Sequence, residues 1–161
     1  VATEAAAAAD CDKAYSENLI GYLLGRAHFQ CLNRLRSSMS AFGMTESDFF
    51  VLSLLSAQQP QSPEQIAAHM AYTGSDIGTV ALQSLIRKGW LQECPSQPQS
   101  LQLTAQGNEA ILHVLAAAKA VEADLIGSLG ELEAATLRNL LKKTIAATDP
   151  GLPKLWQAKA A

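Results

Sequence analysis

The sequence predicts a mostly α fold with a small β-hairpin, arranged as a winged helix-turn-helix flanked by long N- and C-terminal helices. Three observations predict it. Residues 45–104 have the pattern of three helices followed by two short strands. A Pro-rich loop separates the two strands, which is typical of a hairpin. On both sides of this unit, apolar residues recur at helical spacing over stretches longer than a small unit needs as cover.

The first two helices of the predicted unit are indicated by different sequence signals. Thr45 to Ser56 is apolar nearly all round, which indicates a buried helix. The next helix begins at Ser62, a good N-cap, and Pro63 suits its first helical position. Gln65 can close a capping box with Ser62, so the start of this helix is well defined.

The third helix and the hairpin complete the unit. Residues 72–74 (Tyr-Thr-Gly) form the turn that leads to a helix over residues 75–88, which Gly89 ends from the C′ position. Strands are predicted over residues 90–94 and 100–104. Two helices joined by a short turn and followed by a hairpin form a motif that usually places its second helix in the DNA major groove.

Long helices are predicted before and after this unit. The first runs from Ser16 to Ala41, and a second covers residues 105–129. A last helix opens at Glu131 and closes near Lys142 and Lys143, with charges that suit the helix dipole at both ends. Its predicted buried side consists of Leu137, Leu140, Leu141 and Ile145.

The second long helix carries a heptad-like seam, formed by Ile111, Val114, Ala118, Val121 and Leu125. The seam is compatible with ordinary intrachain core or with a dimer interface. We favour the dimer, because a winged unit of this size has only a modest core of its own. The predicted organisation is a mobile N-terminal tail (1–15), a dimerisation helix (16–43), the winged unit (44–104), C-terminal dimerisation helices (105–147) and a C-terminal tail (148–161).

Composition supports a cytoplasmic protein with much buried surface. Charged residues make up 17% of the 161 residues and apolar ones 48%, which is low charge for a soluble chain. The sequence has no apolar run long enough to span a membrane, and its Ala-rich start lacks the pattern of a signal peptide. Three widely spaced cysteines fit a reducing cytosol better than a disulfide framework.

Three segments together resemble the MarR family of dimeric bacterial transcription regulators. They are residues 43–45 (Gly-Met-Thr), residues 85–91 (Leu-Ile-Arg-Lys-Gly-Trp-Leu) and residues 103–107, which look like the family's Leu-Thr-x-x-Gly signature. The resemblance covers about Ser16 to Ala147. It implies a homodimer that binds double-stranded DNA, acts as a ligand-responsive repressor and has an effector pocket between the dimer helices and the winged unit. Candidate walls of that pocket are Tyr22, His28 and Phe49, for which a core role is an equal alternative.

The third helix of the unit would read DNA. Ile77, Ala81, Leu82 and Leu85 should face the core, which leaves the opposite face for a groove. On that face Gln83 could read adenine, Thr79 could bond a phosphate or a base edge, and Val80 could meet a thymine methyl. The candidate DNA contacts of the helix and wing are Ser75, Asp76, Thr79, Val80, Gln83, Ser84, Arg87, Lys88, Gln97 and Gln99.

Charge argues against tight DNA binding. Residues 44–104 contain two basic side chains, Arg87 and Lys88, and five acidic ones, so they carry the whole net charge of −3. The family's wing has Asp-x-Arg at its tip, whereas residues 95–100 here are uncharged. Generic DNA affinity depends on phosphate neutralisation. An alternative function therefore stays open: a relative with weak or lost DNA binding that acts through a protein partner or a small ligand.

Other chemistry is not indicated. His28, His69 and His113 stand apart without metal-ligand spacing, and there is neither a phosphate-binding loop nor a paired catalytic carboxylate. We expect no enzyme activity, no metal and no cofactor. Cys31, on the apolar stripe of the first helix, and Cys94, at a strand end where it could be accessible, are candidate redox sensors. For Cys31 a core role is favoured.

Overall fold

A computed structural model describes residues 18–74 and 77–148 of the chain. Its elements are α1 (Ile20–Ser40), α2 (Glu46–Ala57), α3 (Pro63–Met70), a 3₁₀ turn (Ala71–Thr73), α4 (Thr79–Arg87), β1 (Leu91–Cys94), β2 (Gln97–Leu103), α5 (Ala105–Ile126) and α6 (Glu131–Thr148). This order confirms the predicted winged helix-turn-helix with long flanking helices. The predicted tail 1–15, Ser16, Ser75, Asp76 and residues 149–161 lie outside the described residues.

The core of the winged unit surrounds α2. Leu52 and Leu55 of this helix are completely buried, and α2 packs on α3, β2 and α5. Ile66 of α3 and Ile111 of α5 are equally buried beside it. Full burial of one such side chain contributes about 1.5–3 kcal/mol. The helix that is apolar nearly all round therefore occupies the centre of the unit, as its sequence predicted.

Two capping boxes fix where α2 and α3 begin. At α3 the predicted pair forms, with the Ser62 N–H donating to Gln65 Oε1 at 2.8 Å and the Gln65 N–H donating to Ser62 Oγ at 3.3 Å. The capping box at α2 was not predicted from the sequence. There Thr45 is the N-cap, and Asp48 accepts from the Thr45 N–H at 2.9 Å. Both boxes satisfy backbone donors that would otherwise lack partners.

Helix α4 is shorter than predicted. Of the residues before Thr79, Ile77 is buried and Gly78 is extended, with φ −76° and ψ 176°. Ile77 therefore anchors the approach to the helix as a core residue outside the helical turn. At the other end Gly89 has φ +74°, which confirms its predicted C′ role.

The wing is also built differently from the prediction. Its turn consists of Pro95 and Ser96, and β2 begins at Gln97, before the predicted Ser100. Glu93 pairs with Leu101 while Cys94 pairs with Gln97, so residues 98–100 form a bulge. A proline has no N–H to donate to a ladder, and a bulge at the strand edge accommodates it.

The flanking helices divide between core and surface. In α5, Ile111 and Val114 are completely buried in the intrachain core, whereas Leu125 is 39% exposed. Helix α6 has no buried residue: Leu137, Leu140 and Ile145 are exposed and Leu141 is half-buried, so the predicted buried side of this helix is open in the single chain. The helix also continues to Thr148, past the predicted basic end at Lys142 and Lys143.

No helix in the described part of the chain is long and apolar enough to cross a membrane.

The start of α5 is tied to the exit of α4. The Thr104 hydroxyl accepts from the Gly107 N–H at 3.0 Å and donates to the Gly89 carbonyl oxygen at 2.6 Å. The Thr104 N–H donates to the Trp90 carbonyl oxygen at 3.0 Å. Gly107 packs so closely on Trp90 that an added Cβ would overlap that same oxygen. We call these four residues the helix junction.

We predict that Gly107→Ala lowers the free energy of unfolding by about 1–3 kcal/mol, because backbone atoms must move to admit the methyl group. Gly25→Ala in α1 is the control, since an added Cβ there meets no atom within 4 Å. It should be neutral or stabilising by up to about 1 kcal/mol. Chemical denaturation of both variants measures this. Equal stabilities would show that the junction tolerates a side chain.

Candidate DNA-reading face

Helix α4 presents one polar face to solvent. Thr79, Gln83 and Arg87 are exposed, Val80 is 76% exposed, and Ser84 is half-buried. The opposite side holds Leu82 and Leu85 in the core, as predicted. Because the buried side fixes the rotation of the helix, the same residues that the sequence assigned to a groove lie on its outer face. Ser75 and Asp76 of the predicted contacts lie outside the described residues.

Lys88 does not join this face. Its ammonium nitrogen lies 2.6 Å from Asp48 Oδ2 and 3.2 Å from the Gly43 carbonyl oxygen, and it stands 4.8 Å from the centre of the Trp90 ring. Asp48 is the buried charged residue of the described core. The predicted DNA contact at Lys88 is therefore corrected: its charge balances a carboxylate inside the unit. One signal for this is present in the sequence, namely the acidic residue at the N3 position of α2.

Arg87 is the remaining basic side chain of residues 44–104, and it is exposed. Two arginines near the end of α1 already have acidic partners. Arg34 pairs with Asp124 and Arg36 pairs with Glu46, both at 3.5 Å and at exposed positions. Such surface pairs are worth little and can open. Even so, the winged unit presents little positive charge to DNA.

A groove separates α4 from the wing. Pro63, Glu64, Thr79, Gln83, Ile86, Glu93 and Gln99 line it over a floor of Leu82 and Leu101, and its volume is about 440 Å³. We call it the acidic groove. The Glu64 backbone N–H and the Ser62 hydroxyl, which donates at 2.8 Å, lower the pKa of the Glu64 carboxyl. Gln99, with φ +67°, lies at its edge, and Gln97 is exposed at the wing turn.

A second cavity, of about 460 Å³, lies between α1, α2 and the 3₁₀ turn. Of the three predicted pocket residues, His28 lines it. Phe49 is buried in the core beside Phe50, and Tyr22 is exposed next to Arg26. The sequence reasoning missed the residues that complete the walls, which are Phe29, Leu32, Glu46, Ser47, Phe50, Tyr72 and Thr73. They come from three elements, and their proximity depends on tertiary packing.

The two described cysteines differ from each other. Cys31 is half-buried on α1. Cys94 is buried, so the expectation that it is accessible was wrong. The Ser96 hydroxyl lies 3.2 Å from Cys94 Sγ and lowers the pKa of the thiol. Within residues 18–74 and 77–148, no three His, Cys, Asp or Glu side chains are grouped as a metal site would need.

The arrangement defines a class: a winged helix-turn-helix whose second helix has a free polar face. No family model and no curated protein sequence matches the chain. Solved structures do match the chain. A MarR-family regulator from Silicibacter pomeroyi superposes with a TM-score of 0.68 at 19% identity, covering 82% of this chain and 91% of that one.

Two further similar structures hold ligands. The repressor CouR, bound to p-coumaroyl-CoA, has a TM-score of 0.66 at 23% identity and covers 83% of this chain and 95% of its own. A MarR-family protein of Mycobacterium tuberculosis, in complex with DNA, has a TM-score of 0.63 at 23% identity, with 78% and 97% covered. The chain therefore has the winged helix fold of the MarR-family transcription regulators.

We predict that Lys88→Met lowers the free energy of unfolding by about 1–3 kcal/mol, because the Asp48 carboxylate loses its counterion in a mostly buried position. The salt dependence of DNA binding should not change, since Lys88 contacts no phosphate in this arrangement. Lys119→Met, an exposed position on α5, is the control. Thermal unfolding and DNA titration across a salt series measure the two effects. A shallower salt slope for Lys88→Met with unchanged stability would return Lys88 to the DNA face.

Proposed function

We propose that the protein is a cytoplasmic, homodimeric, DNA-binding transcription regulator, and that it acts as a ligand-responsive repressor. The observation that carries this is the exposed polar face of α4 within a complete winged unit. The DNA-bound and p-coumaroyl-CoA-bound proteins of the same fold support both parts of the proposal. The proposal assigns no catalytic step, cofactor or metal.

The dimer rests on apolar surface that the single chain leaves open. In the first half of α1, Ile20 is 73% exposed and Leu23 50%. On α6, Leu132 is 82% exposed and Leu140 57%. Apolar patches of this extent mark interaction sites. A second copy of the chain could cover both helices through one two-fold interface, which is the commonest form of oligomer.

DNA recognition would depend on few contacts. Thr79, Val80, Gln83 and Arg87 would enter the major groove, with Gln83 placed to read an adenine. Gln97 and Gln99 of the wing could bond base edges or backbone but would add no charge. Two copies of α4 in a dimer would then read the two halves of a palindromic operator.

The ligand would bind between α1, which carries the dimer surface, and the winged unit. The cavity lined by His28 joins α1, which carries the dimer surface, to α2 and the 3₁₀ turn that precedes α4. Tyr72 forms part of its wall, and burial raises the pKa of the Tyr72 hydroxyl. A molecule bound there could change the spacing of the two reading helices and so release the operator, provided that it binds one spacing better than the other.

A second candidate function is a protein of this fold that has largely lost DNA affinity and acts through a protein partner. The specific observation in its favour is charge. Residues 44–104 carry −3, and Lys88, one of their two cations, is paired inside the unit.

We predict that Leu140→Asp weakens dimer formation at least tenfold, because it places an unpaired charge in an apolar interface. Val80→Asp is the control, because Val80 is similarly exposed but lies on the DNA-reading face. Sedimentation over a concentration series compares the two. A wild-type protein that remains a folded monomer at micromolar concentration would contradict the dimer.

We predict that the wild-type protein binds random duplex DNA weakly, with a shallow dependence on salt, because generic affinity comes from phosphate neutralisation. Val80→Arg together with Gln97→Arg should strengthen binding, and each new phosphate contact should steepen the log–log salt slope by about 0.9. The uncharged control is Val80→Gln, which changes the same exposed position. Tight wild-type binding to random duplex with a steep slope would contradict the charge argument, and the absence of any DNA binding would favour the second candidate function.

A further inference from the structure

The acidic groove has the wrong charge for its position. It lies between α4 and the wing, the two elements that a winged unit directs toward DNA. Its charged lining consists of Glu64, at the N-terminal end of α3, and Glu93, on β1. Among the described residues, no Lys or Arg is part of this lining. A phosphate backbone that approached the groove would meet two carboxylates without a counterion in the wall.

The groove also has an apolar component. Ile86 is 42% exposed at its side, and the buried side chains of Leu82 and Leu101 form its floor. Val80, on the outer face of the same helix, is 76% exposed. An aliphatic strip beside carboxylates suits an occupant that combines apolar side chains with positive charge.

We propose that the acidic groove binds a basic, Leu- or Ile-containing segment of a partner protein, and that this segment competes with DNA for the face of α4. Lys or Arg side chains of the segment would pair with Glu64 and Glu93, while an aliphatic side chain would lie on Leu82 and Ile86. The competition rests on the proposed DNA-binding function, but binding of the segment does not.

The charge pattern favours this occupant over a nucleic acid. The Glu64 carboxylate accepts from the Ser62 hydroxyl in the first turn of α3. Glu93 lies on β1 opposite Leu101, next to the bulge of the wing. A cationic segment gains from both carboxylates at once, whereas DNA would be repelled by both. The same groove would therefore exclude one class of ligand and attract the other.

The test uses the full-length protein and two fluorescein-labelled peptides, one alternating Lys and Leu and one in which Glu replaces Lys. Fluorescence anisotropy gives the affinity of each peptide at several salt concentrations, and spermidine serves as a cation without aliphatic side chains. The groove variant is Glu64→Gln/Glu93→Gln. The matched control, Glu109→Gln/Glu122→Gln, removes two exposed carboxylates from α5. Duplex DNA binding is measured separately with each protein.

We expect the Lys-Leu peptide to bind, the Glu-Leu peptide not to bind, and spermidine to compete weakly. The groove variant should lose at least about fivefold in peptide affinity, since each exposed charge pair contributes modestly. It should also bind DNA more tightly than the wild type, because repulsion is removed. The control should leave peptide affinity within twofold. Opposite changes toward peptide and DNA are not expected from a general loss of structure.

Other outcomes overturn the proposal in separable ways. Equal peptide binding by wild-type and groove variant would place the peptide elsewhere, and equally strong binding of spermidine would remove the need for a protein segment. Peptide binding that depends on the groove but does not displace DNA would overturn the competition. If the wild type binds no DNA at all, the proposed regulator function fails, while the peptide measurement still decides whether the groove takes a basic segment.

Discussion

The hydroxyl of Thr104 holds together the elements that define the molecule. It closes the first turn of α5 through the Gly107 N–H and reaches back to the Gly89 carbonyl at the exit of α4. Gly107 lets the Trp90 backbone approach where any side chain would collide. Since α4, β1 and α5 meet at these residues, the contacts of the helix junction connect helix α4, the wing and the long helix directly. The Leu-Thr-x-x-Gly pattern thus has a physical reason: a capping hydroxyl and a glycine without Cβ.

The apolar side chains of the described residues fall into two groups, one buried in the core and one exposed on the flanking helices. The winged unit closes its own core with Leu52, Ile66 and the N-terminal half of α5. Among the described residues, the start of α1, the end of α5 at Leu125 and much of α6 expose apolar side chains. Helix α5 therefore contributes to the intrachain core near its N-terminal end and exposes apolar surface near its C-terminal end. Of the seam that the sequence left open between core and interface, Ile111 and Val114 lie in the core and Leu125 is exposed. Ala118 and Val121 are half-buried against the core.

The parts of the fold that the sequence predicted are those determined by local chemistry. Ser62 and Gln65 fix the start of α3, and Gly89 ends α4 because it can adopt a positive φ. Positions that depend on tertiary packing were not predictable. Ile77 is in the core, as predicted, but it lies before the first turn of α4, which the sequence pattern did not indicate. Among the site residues, the outward face of α4 followed from periodicity, whereas the partner of Lys88 and the walls of the His28 cavity are distant in sequence and required the folded chain.

The pairing of Lys88 with Asp48 changes what kind of DNA binding this fold can support. Lys88, one of the two cations of the unit, pairs with the Asp48 carboxylate, which also caps α2. The charge that stabilises the fold at this point is therefore less available to neutralise a DNA phosphate. With Arg87 left as the basic side chain of the unit, non-specific attraction is small. Recognition would then depend on base contacts by Gln83 and Thr79, on the doubling of those contacts in a dimer, and on operator shape. Such a protein would discriminate between sites through a few polar contacts, and its affinity for DNA would depend less on salt than that of a strongly basic regulator.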